Sequence, residues 1–125
     1  MIAEHIEPGE PLTPRPERTP AALRMALAQV APHRLAEMER QKDEAITLAA
    51  RARSLGPITQ FLETWAVAIE IARIPCSAAR LRAAEYTART VDHDHPAWRG
   101  AMDEIRDLHT TARESLTSQV TAPPG

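Results

Sequence analysis

The sequence predicts an all-α fold, a small bundle of four to five helices between two irregular tails. Three observations predict it. Proline sits at or beside the start of five segments, at Pro20, Pro32, Pro57, Pro75 and Pro96. A helix tolerates proline in its first turn, where the amide has no intrahelical partner. Between these marks the chain is rich in alanine, leucine, glutamate and arginine, all good helix formers. Apolar residues recur at helical spacing, and even the β-branched stretch over 66–74 keeps that period.

Thr19 is placed as the first N-cap with Pro20 at the first helical position, and Leu23, Ala26, Leu27 and Val30 give one apolar face. Pro32 restarts the chain into a charged helix over 33–55. Glu37 and Glu39 near its beginning and Arg51 and Arg53 near its end suit the helix dipole. Leu35, Met38, Ala45, Ile46 and Ala49 mark its expected buried stripe. Gly56 can take the left-handed conformation that closes this helix, and Pro57 can open the next.

The third helix, over 57–74, is the most apolar. Ile58, Phe61, Leu62, Trp65, Ala68, Ile69 and Ala72 form its stripe, and Val67 and Ile71 lie outside it. A helix apolar around more than half its circumference is either the centre of a fold or lends a second face to a partner. Ser77 is the expected N-cap of a fourth helix running to Thr90. Its apolar face is thin, with Ala78, Leu81, Ala84 and Ala88, and Tyr86 to one side. A polar connection over 91–96 follows, with Asp94 positioned to cap a fifth helix over 96–116. There Trp98, Met102, Ile105, Leu108 or His109, Ala112 and Leu116 fall at near-heptad spacing. No internal repeat emerges, which argues against a solenoid.

The chain has 125 residues, enough for one modest core. The expected organisation is a proline-rich disordered tail over 1–18, a single helical domain over 19–118 and a second disordered tail over 119–125. The formal net charge is −2, so no global field draws the protein to nucleic acid or anionic membrane. Lys42 is the single lysine among many arginines, a bias that reads as a high-GC coding genome. Cys76 is the one cysteine, which excludes an intramolecular disulfide and a metal-binding cysteine pair and fits a reducing cytoplasm. No apolar run reaches the ~18–20 residues of a membrane span, and residues 1–5 do not read as a signal peptide. The expectation is a cytoplasmic protein with no membrane partner.

Candidate chemistry is sparse. His93, Asp94 and His95 are the right ligand types for a transition metal, yet no further ligands stand at a metal-binding spacing, so a polar linker is expected. Acidic clusters at Glu37, Glu39, Asp43 and Glu44, and at Asp103, Glu104 and Asp107, lack the Glu-x-x-His pattern of bundle metal sites. They read as solvated faces with pairs such as Arg99–Asp103 and Asp103–Arg106. His5, His33 and His109 have no nucleophile at an interpretable spacing. Cys76 is expected to be a buried or half-buried structural thiol. With four glycines in all, no phosphate loop or dinucleotide fingerprint can be built. No catalytic, cofactor-binding or metal residue is assigned, and enzyme is the least favoured class.

Two binding readings remain. Val67 and Ile71 of the third helix, with Trp98, Met102 and Ile105 of the fifth, are candidates for an apolar partner surface. Arg73, Arg80, Arg82 and Arg89 make 73–90 locally basic. The third helix, the break and the fourth helix have roughly the proportions of a helix-turn-helix.

Residues 18–27, RTPAALRMAL, and 55–65, LGPITQFLETW, carry a resemblance. They are similar to two sequence blocks of a family of small uncharacterised helical proteins from high-GC Gram-positive bacteria. The likeness covers about residues 18–86 and leaves out the final helix and both tails. The acid-rich block usual after that family's first helix is here the milder APHRL over 31–35. The resemblance implies an all-helical fold and an organisation like that of antitoxin components of toxin–antitoxin pairs. It implies no catalytic residue, since the matched positions are helix starts and core.

The sequence thus points to a non-enzymatic helical interaction module, antitoxin-like in masking a partner protein or associating with itself. The alternative is a small DNA-binding regulator that reads with the helix over 77–90. No cofactor is expected in either case.

Overall fold

The structure, a computed structural model, describes residues 10–121 and the side chains up to 118. It is all-α: among the described residues there are five α-helices, one 3₁₀ turn and no strand. These are α1 (Pro20–Val30), a 3₁₀ turn (Pro32–Arg34), α2 (Leu35–Ala52), α3 (Gly56–Ala72), α4 (Pro75–Thr90) and α5 (Pro96–Thr121). None of them is long and apolar enough to cross a membrane.

The chain divides into two compact units. One runs from Thr13 to Ile69 and holds α1, α2 and most of α3. The other holds residues 10–12 and 70–121, which include the end of α3, α4 and α5.

In the first unit the local chemistry follows the expected pattern at α1. The Thr19 hydroxyl accepts from the Ala22 amide at 3.2 Å, Pro20 follows it, and Leu23, Ala26 and Leu27 are buried. A cap of this kind stabilises a helix by about 1 kcal/mol. The Arg24 guanidinium reaches Glu39 on α2 at 2.8 Å, and Lys42 holds the other oxygen of the same carboxylate at 2.9 Å.

Buried aromatics form the heart of this unit, as the i, i+4 spacing predicts. Phe61 is buried and Trp65 is 1% exposed. The Trp65 indole N–H donates to Gln41 Oε1 at 3.0 Å, and the Arg34 guanidinium lies over the indole, 4.6 Å from its centroid. An interior indole needs a partner for its N–H, and α2 supplies it.

Several boundaries differ from the sequence reading. The left-handed residue after α2 is Arg53, φ 53°, whose amide donates to Ala49. Gly56 has no positive φ and begins α3, its amide donating to the Ser54 hydroxyl at 3.0 Å. Ile46 is exposed where a buried position was expected. Ala45 and Ala49 take the covered side of α2, and one residue on the helix is a turn of 100° away from it.

In the second unit α4 starts at Pro75, two residues before the expected cap, and Ile74 precedes it with no side-chain cap. The cap of α5 is also different. His95, and not Asp94, accepts the Ala97 amide through Nδ1 at 3.0 Å, which places that ring's proton on Nε2. Ala101, Leu108, Ala112 and Leu116 form the buried stripe of α5.

Residues 10–18 were expected to belong to a disordered tail. They run as irregular chain, in which the Leu12 amide donates to the Arg73 carbonyl at 2.6 Å and the Thr13 hydroxyl to Gln29 Oε1 at 2.7 Å. The tail assignments for 1–9 and 122–125 lie outside the described residues.

Candidate functional site

The apolar partner surface expected on α3 is not available. Val67 and Ile71 are each 2% exposed. Ala66, Ile69 and Glu70 beside them are buried too, so the second half of α3 is covered around its circumference. Trp98, Met102 and Ile105 on α5 are half-buried. Trp98 also leans on His93, ring centroids 4.7 Å apart. These three flank the buried stripe of α5 and do not stand out as an open apolar face.

The four arginines separate into two kinds. Arg73 is buried, its Nε donating to the buried Glu70 at 3.0 Å. Arg80 of α4 meets Glu104 of α5 through two bonds, Nε to Oε2 at 2.7 Å and Nη2 to Oε1 at 3.0 Å. Hydrogen bonding to Arg80 holds the Glu104 carboxyl below the usual carboxylate range, and Glu104 in turn raises the guanidinium. Both arginines are therefore occupied in structure. Arg80, Arg82 and Arg89 all remain exposed, so burial takes only Arg73 out of the expected nucleic-acid face.

Exposed apolar surface lies elsewhere. In the first unit Leu48 is 53% exposed on α2, and Leu55 in the link to α3 is 74% exposed. Leu48 lines a groove of ≈ 290 Å³ between α2 and α3. Ala45, Pro57 and Phe61 share its apolar lining, and Arg40, Gln41, Glu44, Gln60 and Thr64 supply the polar atoms. Sequence periodicity does not reveal this groove, because Leu48 falls between the two stripes that periodicity assigns to core and solvent. The available signal is the pair of leucines, Leu48 and Leu55, left outside every predicted stripe.

Groups that could carry chemistry do not converge. Among the described residues no three His, Cys, Asp or Glu side chains stand close enough together to hold a metal. Cys76 is exposed in the first turn of α4, where a buried or half-buried thiol was expected. No buried side-chain polar atom among the described residues lacks a hydrogen-bond partner.

No family model, characterised protein or solved structure matches the chain. The resemblance of residues 18–27 and 55–65 to the helical family therefore rests on those residues alone.

Proposed function

We propose that this chain is a non-enzymatic, helical protein–protein interaction module, and that it engages its partner through the α2–α3 groove of the first unit. The observation that carries this reading is the exposure of Leu48 on the groove wall, with Leu55 more exposed still in the adjoining link. Large apolar side chains left in water beside an apolar-lined groove mark an interaction site. The groove accepts an apolar side chain from an amphipathic helix, and its polar rim fixes the register.

Leu48 and Leu55 replace Val67 and Ile71 as the residues on which the reading stands. The mechanism is burial of apolar surface against the partner, in line with the antitoxin-like organisation that the resemblance implies. The partner is another protein, a toxin encoded nearby being the case that organisation suggests, or a second copy of the chain. Work inside the cytoplasm is part of the same proposal.

Isolation of the tagged chain from its native host tests this. A single stoichiometric companion, or a dimer by sedimentation, should be lost on Leu48→Glu and Leu55→Glu while the melting temperature holds. A chain that stays monomeric and unaccompanied, or a companion indifferent to both changes, would rule the reading out.

A further inference from the structure

We infer that the outer face of α4 is a second docking surface, built for an acidic amphipathic helix of a protein partner. It lies in the other unit and stands whether or not the α2–α3 groove is filled. Arg82, Tyr86 and Arg89 follow one another at i, i+4 and i+7, which puts all three on a single stripe. All three are exposed, and Tyr86 is 64% exposed, a large aromatic left in water between two guanidinium groups. Neither Arg82 nor Arg89 forms an ion pair among the described residues, although Arg73 and Arg80 nearby are both paired.

Charge and geometry specify the occupant. The two arginines are seven residues apart, about 10 Å along the axis at 1.5 Å per residue. A second helix has the same rise, so carboxylates seven residues apart on it stand opposite both arginines at once. An apolar side chain midway between them meets the face of Tyr86. Ala79 and Ala83, also exposed, flank the stripe with side chains small enough for a helix axis to approach to about 8–10 Å.

Nucleic acid fits less well. Only two cations are presented, where a polyanion needs a longer run of them.

The test uses the full chain and a fluorescent alanine-based helical peptide with two glutamates seven residues apart and a leucine midway. Anisotropy at low salt should show saturable binding that Arg82→Glu/Arg89→Glu weakens about tenfold. A peptide with lysines in place of the glutamates should bind that double variant and not the parent. Tyr86→Ala should weaken binding several-fold, with the circular dichroism spectrum unchanged in every variant. No saturable binding, or binding that the charge reversal leaves alone, would overturn the inference. So would duplex DNA binding the parent more tightly than the acidic peptide and losing that binding in the double variant.

Discussion

Arg80 and Glu104 join α4 to α5 through a two-pronged contact, the guanidinium Nε and Nη2 each bonded to a different carboxylate oxygen. The pair is exposed, so salt and pH should read it directly. Glu104 has its pKa lowered in the folded chain by the hydrogen bond from Arg80. The unfolded chain thus binds the proton more readily. The stabilisation is complete above the ordinary carboxylate range and is lost as pH falls through the depressed value. Glu39 behaves in the same sense, lowered first by the Lys42 hydrogen bond and then by that from Arg24. Melting temperature followed from neutral to acid pH should fall, and Glu104→Gln should flatten part of the slope. An unchanged slope in that variant contradicts this assignment.

Glu70 and Arg73 make the opposite kind of pair, with both side chains nearly buried. Glu70→Ala takes a carboxylate away from beside the buried Arg73 guanidinium, so it should lower stability in denaturant unfolding, by up to about 3–5 kcal/mol. Replacing both by apolar residues, Glu70→Leu with Arg73→Met, should recover most of that loss. A mild effect of Glu70→Ala would mean that the other contacts of Arg73 are enough to hold its charge.

Trp65 anchors the first unit. Truncation to alanine should cost about 3–5 kcal/mol. Gln41→Ala leaves the indole N–H without its acceptor and should cost about 1–3 kcal/mol, measured by the same unfolding curves. Equal stability of the Gln41 variant would show that solvent replaces the glutamine.

Two backbone positions should respond to substitution in opposite chemical directions. Arg53 occupies the left-handed region, where a side chain is strained by roughly 1–2 kcal/mol. Arg53→Gly should therefore raise stability by about 0.5–1 kcal/mol after the entropy of glycine is offset. Gly100 lies inside α5 with nothing within 4 Å of an added Cβ. Gly100→Ala should raise stability by about 0.5–1 kcal/mol. A loss on thermal melting in either variant contradicts the local backbone geometry at that position.

Local features of this fold are legible in the sequence, and features set by distant neighbours are not. The Thr19 cap, the proline starts and the Phe61–Trp65 pair depend on residues within one or two turns, and they stand where periodicity puts them. The end of α2 is different. Which residue turns left-handed depends on where the last helical bond forms, and Arg53 takes that place three residues before the glycine. Val67 and Ile71 look like a spare face because period alone cannot say how many sides of α3 are covered. Arg80 meets Glu104 across 24 positions, so no local spacing could foresee it, and the acid reads as solvated. The groove beside Leu48 arises from two helices together and leaves no mark on either alone.

Docking in the α2–α3 groove is read most plainly by amide hydrogen exchange of the chain with its isolated companion, or across a dilution series if it pairs with itself. New protection should be confined, in the first unit, to residues 40–48 and 57–64, and should be absent in the Leu48→Glu variant. Protection that appears only outside those stretches, or that survives in the variant, would contradict docking there.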